Sequence, residues 1–236
     1  MRKIAIITAR GGSKRIPRKN IKEFCGKPII AYSIEAALGA GCFDTVMVST
    51  DDEEIAEIAK KYGAEVPFYR SAETSNDFAT TNDVLQEVIR EYEKRGEYFD
   101  MGCCIYPTAP FLTGEKLREA VEKLEASDAD TLLPVVAFSY PPQRAVVIEE
   151  GRLVFKYPEY LDARSQDLEK HYHDAGQFSI FKVEAYKRNK RILVGNILPY
   201  EIPEKEVQDI DTPQDWEIAE MKYQIMRGNA ENGSKA

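Results

Sequence analysis

The stretch "IAIITARGGSKRIPRKN", Ile4 to Asn20, decides how the rest of the chain is read. An apolar run breaks into two glycines, a serine and five cations, Arg10, Lys14, Arg15, Arg18 and Lys19. In an open α/β sheet, the turn at the carboxyl end of the first strand is the usual ligand crevice. Gly11 and Gly12 permit backbone dihedrals closed to other residues, so successive N–H groups can face an anion. Arg10, Lys14 and Lys19 would then neutralise phosphate oxygens, and Ser13 would donate a further hydrogen bond. The spacing matches neither the dinucleotide GxGxxG fingerprint nor a P-loop. On the residues alone, a phosphate cradle and a solvated basic loop both remain open.

The cluster stands out because the chain is acidic. Its 236 residues carry a formal charge of −8, with 32 Lys and Arg against 40 Asp and Glu. That balance argues against nucleic acid or a membrane surface as partner, so the local cations are aimed at a small anion. A composition of 43% hydrophobic and 31% charged residues suits one globular domain. No apolar run approaches membrane-spanning length, and the opening residues lack the arrangement of a signal peptide. Cys25, Cys42, Cys103 and Cys104 show neither zinc-ligand nor CxxC spacing. They are read as buried free thiols of a cytoplasmic protein.

Outward from the loop, the first half alternates strand and helix. Lys3–Thr8 is a strand, and Pro28–Leu38 a helix with Gly39 beyond its end. Thr45–Ser49 is a strand and Asp52–Tyr62 a helix, with Thr50 or Asp51 as N-cap and Gly63 at C′. Val84–Lys94 is helical, Met101–Tyr106 a strand, Thr113 caps a helix to Ala126, and Thr131–Phe138 is the next strand. This alternation predicts an α/β fold with a mostly parallel, Rossmann-like sheet covered on both faces. Residues 139–177 depart from it, with paired prolines and the hairpin pattern "VVIEEGRLVF". Short strands follow at "FSIFKV" and "ILPYEI", and a helix over Pro213–Met226 holds the only Trp, Trp216. The expected organisation is one domain over 1–228, an excursion at 139–177 and a flexible tail at 229–236.

"VQDIDTPQDW" places Asp209 and Asp211 two residues apart. In extended chain both carboxylates face one side while Ile210 faces the core. Such a pair suits Mg²⁺, which takes one or two carboxylates and completes its shell with phosphates and water. The competing reading is a helix start, since Asp and Thr precede Pro213. Thr212 alone can fill that cap with Asp215 behind it, which leaves the two aspartates unexplained by capping.

The segment "ARGGSKRIPRKNIKEFCGKPIIAYSIEAAL" resembles the signature of the CMP-sialic acid synthetase family, the cytidylyltransferases that activate nine-carbon sugar acids. The resemblance continues through "VMVSTDDEEIAEIA", "CCIYPTAPF" and "VQDIDTPQDW", over most of the chain. It implies a nucleotide-diphosphosugar transferase fold and the reaction of CTP with a sugar acid to give a CMP-sugar and diphosphate. The product would feed surface-glycan or flagellin glycosylation. It implies Mg²⁺, with Mn²⁺ as substitute, on Asp209 and Asp211, and Arg10, Lys19 and Asp211 as catalytic residues. The nucleotide set becomes Ala9, Arg10, Gly11, Gly12, Ser13, Lys19, Asn20, Arg70 and Thr81. Arg70 can donate to the O2 and N3 acceptors of cytosine, a pattern uracil does not offer. A helix cap at Thr80 or Thr81 is the alternative there.

The sugar end is expected from the excursion and the loop after "CCI". Arg164 is a candidate for the sugar carboxylate, because its planar fork matches a carboxylate in a bidentate way. Tyr106 and Gln177 are the other substrate candidates, and His171 and His173, the only histidines, are read as hydrogen-bonding surface rather than metal ligands. Sialic-acid enzymes of the family typically read "LQPTSP" where this chain has "CIYPTAPF", so Tyr106 replaces a glutamine. With "FSYPPQRA" and "RSQDLEKHYHDAGQF", this looks like the pseudaminic acid branch, whose substrate carries fewer hydroxyls and an extra methyl. Enzymes for N-acetylneuraminate or legionaminate are the nearer alternatives. A uridylyltransferase and a non-catalytic nucleotide-binding module are the remoter ones. The resemblance also implies a homodimer built through the excursion, with some of its residues serving the neighbouring active site.

Overall fold

A computed structural model describes residues 1–233. Along the chain run β1 (Lys3–Thr8), the short strands β2 (Glu23–Phe24) and β3 (Lys27–Pro28), α1 (Ile29–Ala40), β4 (Thr45–Ser49), α2 (Glu53–Lys61), α3 (Ala72–Ser75), α4 (Thr81–Lys94) and β5 (Met101–Ile105). Then come α5 (Gly114–Glu125), β6 (Thr131–Ala137), β7 (Val146–Glu149), β8 (Arg152–Phe155), β9 (Tyr172–Asp174), β10 (Phe178–Lys182), α6 (Val183–Asn189), β11 (Ile197–Glu201) and α7 (Pro213–Gly233). The closing helix thus runs past Met226 through residues 229–233, and the rest of the expected tail, 234–236, lies outside the described residues.

The main sheet has the order β11-β6-β10-β5-β1-β4, with β9 also paired to β6. β4, β1, β5, β6 and β11 point one way, and β10 and β9 oppose them. The sheet is therefore mostly parallel, as expected, but "FSIFKV" enters it antiparallel between β5 and β6. The first half of β6 bonds β10 (Leu132↔Ile180) and its second half bonds β9 (Val135↔Asp174). Gly176, at φ 64°, makes the break between the two.

Alternation along the strands sorts the core into two faces. Ala5, Ile7, Cys103 and Ile105 pack with α1, α2 and α5, whereas Ile4, Ile6 and Cys104 pack with α4 and α6. The adjacent cysteines are thus buried on opposite faces as free thiols, while Cys25 and Cys42 are only half-buried. Burial pushes the Cys104 thiol up to about 12, so it stays neutral and unreactive. Helices α1 and α5 cross at backbone contact, since a Cβ on Gly114 would sit 2.5 Å from the Gly39 carbonyl carbon.

Helix starts follow side-chain chemistry. Thr113 accepts from Lys116 N, and Thr80 forms a reciprocal capping box with Asp83. The N-cap of α2 is Asp52, accepting from Ile55 N at 3.0 Å, rather than Thr50 or Asp51. The excursion contains the expected hairpin, β7 with β8, turning at Glu150 and Gly151 with φ 48° and 75°. Both strands are exposed at every position, and among the described residues they pair only with each other.

Candidate active site

β1, β4 and β5 end side by side, and what leaves them forms the cleft. Thr8 pairs with Ser49 in register, so the basic loop leaving β1 lies against "TDD" leaving β4. That neighbour clamps it. Ala9 N donates to Ser49 O at 3.0 Å and Gly11 N to Asp51 Oδ1 at 2.9 Å. A Cβ on Gly11 would meet Asp52 Oδ2 at 2.7 Å, so a larger residue there would push aside the carboxylate that holds Arg18. Neither Gly11 nor Gly12 has a positive φ, which corrects the expectation that they supply special dihedrals. The left-handed residue of the loop is Arg18, at φ 54°, held by Asp52 at 2.5 and 2.9 Å and by Glu54 at 2.5 Å. The Arg18 hydrogen bond holds the Asp52 carboxyl below its ordinary range.

Behind the loop lies a small aromatic core. Ile16 from the loop, Phe24, Ile29, Tyr32, Phe111, Ile210, Trp216 and Ala219 pack together. Phe24 meets Trp216 edge-on at 5.5 Å, and Lys22 lies over the indole at 4.4 Å. The same cluster therefore anchors the loop through Ile16 and the aspartate segment through Ile210, which is 1% exposed. Thr212 caps α7 with Asp215 closing the box, and Asp211 joins it only through its backbone N–H, which donates to Asp215 Oδ2 at 3.1 Å. The carboxylates of Asp209 and Asp211 therefore take no part in that cap.

The two segments meet. Lys19 Nζ donates to Ile210 O at 2.7 Å and Asp211 Oδ1 at 3.3 Å, and Arg15 reaches Asp211 Oδ2 at 2.8 Å. A cleft of about 870 Å³ opens beside them, lined by Arg10, Ser13, Lys14, Arg15, Lys19 and Asn20 on the loop side. Tyr106, Pro107, Thr108, His173, Asp174 and the pair Asp209 and Asp211 are among the residues of its other walls. Asn20 is buried, and its amide donates to Arg10 O at 2.9 Å, fixing the loop from within. Ala9, Gly11 and Gly12 do not line the cleft, and the N–H groups of Ala9 and Gly11 are already committed.

A second cavity of about 250 Å³ continues past Arg10 and Tyr106 and is lined by Arg70, Thr74, Asn76, Asp77, Ala79, Thr80 and Thr81. Arg70 is buried, with Nε on Ser49 Oγ at 3.1 Å and one terminal nitrogen on Ser49 O at 2.7 Å. Since Thr80 supplies the cap of α4, Thr81 is left to the cavity. Arg10 and Lys14 both pair with Asp77, at 3.3 and 2.6 Å, and the Lys14 hydrogen bond leads in lowering that carboxyl's pKa. Burial pushes the Tyr106 phenol up to about 12, so it stays a hydrogen-bond donor at the seam of the two cavities.

Two substrate candidates sit elsewhere. Gln177 is buried, donating to Glu206 O at 2.6 Å, and lines neither cavity. Arg164 is exposed on the excursion, paired with Asp167 at 2.7 Å, and is not brought to the cleft of its own chain. The anchors Asp51 and Asp52 and the wall residues Pro107 and Thr108 are what sequence reasoning missed. Only the β1–β4 register could have revealed the first two.

The Asp209 and Asp211 carboxylates fit a hard divalent cation. Both line a cleft rich in oxygen donors, with Ile210 buried between them. No cluster of three His, Cys, Asp or Glu exists among the described residues, so such an ion would draw the rest of its shell from phosphate and water.

Comparison with known proteins gives the family and the fold. The family model "Cytidylyltransferase" matches residues 4–226. The chain is 43% identical over 231 residues to a pseudaminic acid cytidylyltransferase of Campylobacter jejuni, covering 98% of this chain and 100% of that protein. It is 36% identical to the CMP-N,N'-diacetyllegionaminic acid synthase of Legionella pneumophila, covering 95% and 97%. A solved CMP:2-keto-3-deoxy-manno-octonic acid synthetase complexed with CTP superposes with a TM-score of 0.71 at 17% identity, over 97% of this chain and 100% of that one. That likeness supports the nucleotidyltransferase fold. The chain belongs to the cytidylyltransferase family.

Proposed function

We propose that the chain transfers CMP from CTP to pseudaminate, giving CMP-pseudaminate and diphosphate. The observation that carries this reading is the bond between Lys19 and Asp211, which joins the phosphate loop to the carboxylate pair across 192 residues of sequence. In this reading Arg10, Ser13, Lys14 and Lys19 bind the triphosphate, and Arg10 and Lys14 exchange Asp77 for phosphate oxygens. Once so engaged, these cations face the departing diphosphate and stabilise charge as it develops. The smaller cavity takes the cytosine, where Arg70, held by Ser49, offers its remaining donors to O2 and N3. Asp209 and Asp211 would hold Mg²⁺ or Mn²⁺, which when bound supplies Lewis-acid polarisation of phosphate and acceptor hydroxyl. The acceptor sugar lies along Tyr106, Thr108, His173 and Asp174, so that its hydroxyl is positioned rather than chemically activated by a nucleophilic side chain.

The choice of pseudaminate rests on near-full-length similarity to the Campylobacter enzyme and on Tyr106 at the seam. Legionaminate is the second reading, supported by the Legionella relative. The excursion is the proposed dimer contact, because its apolar hairpin is exposed and uncovered among the described residues. In a dimer Arg164 would serve the neighbouring cleft. No helix among the described residues is long and apolar enough to cross a membrane, and a CTP-consuming enzyme is placed here in the cytoplasm. The organisation follows as one nucleotidyltransferase domain with an excursion at 139–177. Diphosphate release from CTP and UTP across nonulosonic acids tests the whole reading. Pseudaminate with CTP is expected to exceed N-acetylneuraminate by about tenfold or more in kcat/KM. Equal or better turnover of N-acetylneuraminate would overturn the sugar, and equal use of UTP would overturn the base.

A further inference from the structure

His173 is one of two histidines in the chain and the one that lines the large cleft. Three contacts define its state. Its backbone is held in β9 opposite Val136, and its ring leans on Phe138 with centroids 4.7 Å apart. Its Nδ1 lies 2.9 Å from Asp174 O. A carbonyl oxygen only accepts, so Nδ1 carries the proton, and in the neutral imidazole Nε2 is left as a lone-pair acceptor. The neighbouring Tyr172 projects to the other face of the strand, where its hydroxyl bonds Glu201 at 2.9 Å. Beside His173 the cleft is also lined by Asp174, an acceptor, with Tyr106 and Thr108, while the loop contributes the donors Arg10, Lys14, Arg15 and Lys19. A triphosphate and a sugar carboxylate, which only accept, belong with the donors. The acceptors His173 and Asp174 suit the part of a sugar that presents N–H and O–H groups.

We propose that His173 is a specificity-determining residue whose Nε2 accepts a hydrogen bond from an N–H or hydroxyl donor of the sugar acid. The proposal rests on the cytidylyltransferase reading of this cleft. Losing one such bond with the partner left desolvated costs about tenfold in the sugar's KM, while the nucleotide end is untouched. His173→Phe keeps the ring packed on Phe138 and removes the acceptor. His173→Gln carries an amide oxygen out to the region of Nε2, whereas His173→Asn reaches only as far as Nδ1.

Steady-state diphosphate release, with circular dichroism to confirm folding, reads the outcome. His173→Phe is expected to raise KM for pseudaminate about tenfold with KM for CTP unchanged. His173→Gln should stay within about threefold of the parent, and His173→Asn should resemble the Phe variant. A penalty confined to diacetamido sugars, absent with N-acetylneuraminate, assigns the donor to the extra acetamido N–H. An equal penalty across sugars assigns it to a shared group. An unchanged sugar KM in His173→Phe, a matching rise in CTP KM, or rescue by Asn as good as by Gln overturns the proposal. A parent enzyme inactive with every nonulosonate overturns the functional reading itself, and the histidine assignment with it.

Discussion

The basic loop and the excursion both interrupt the βα alternation, and they are held in opposite ways. The loop is tied down from three sides, by Asp51 and Asp52 from the turn after β4, by Asn20 from within, and by Ile16 in the aromatic cluster with Trp216. The hairpin of β7 and β8 projects Ile148 at 78% and Leu153 at 66% exposure, and among the described residues its strands pair only with each other. Electrostatic catalysis needs charges already in place, so the region that meets phosphate is the one over-determined by packing. A region that finishes its burial on a partner can leave apolar side chains in solvent until then.

The strongest way to break this contrast is to alter chemistry without touching the scaffold. Asp211→Asn is expected to lower kcat by about a thousandfold or more, as removal of a principal charge-stabilising group does. Its unfolding midpoint should move little, because Asp211 is only half-buried and Thr212 caps α7 without it. Full activity at ordinary Mg²⁺ would dismiss the carboxylate assignment. Trp216→Ala attacks the scaffold instead. Truncating a 3%-exposed indole that packs on Phe24 should cost about 3–5 kcal/mol in denaturant unfolding. It should also lower kcat/KM at temperatures where the variant remains folded, because Ile16 and Ile210 lose their shared anchor. A destabilised but fully active variant would show that the cluster supports the fold and not the site.

The other side of the comparison is tested on the hairpin. Ile148 and Leu153 are register partners, so Ile148→Glu with Leu153→Lys replaces an apolar pair with a cross-strand ion pair. Sedimentation should show the parent as a dimer and the variant as a monomer, with far-UV circular dichroism unchanged. Loss of activity in that monomer would support a contribution of Arg164 to the neighbouring cleft. A monomeric parent would remove the dimer reading.

Much of the fold was legible because strands and helices announce themselves locally. Lys3–Thr8 and Thr45–Ser49 fall where the apolar runs placed them, and the alternation Asp209, Ile210, Asp211 delivered one buried side chain between two in the cleft. What stayed hidden depends on contacts distant in sequence. The antiparallel entry of β10 follows from the excursion returning the chain at the same end of the sheet at which β6 left it, which no local pattern in "FSIFKV" records. Nothing in "ARGGSKRIPRKN" shows that Arg18 is a structural cation spent on Asp52 while Lys19, its neighbour, reaches Asp211. Arg164 had suitable chemistry, but its position relative to the cleft is set by the excursion as a whole.

The smallest expected effect concerns the clamp between Asp52 and Arg18. Asn caps a helix about as well as Asp, so Asp52→Asn keeps the start of α2 and removes the charge that holds Arg18 in its left-handed conformation. The Asp52 carboxyl is depressed below its ordinary 3.8, first by the Arg18 hydrogen bond and against an opposing burial effect. A depressed folded pKa means the carboxylate stabilises the protein above that ordinary value, and the contribution is lost as pH falls through the folded pKa. Because Arg18 is 40% exposed, solvent screening limits the gain to about 1 kcal/mol at neutral pH. The parent should therefore be more stable than Asp52→Asn at pH 7, and the gap should close below about pH 4. Arg18→Gln should reduce the same gap, because the two residues act on one another. A gap that holds constant from pH 7 down to acid would show that the clamp works by shape alone. The loop's rigidity would then rest on Ile16, Asn20 and Asp51.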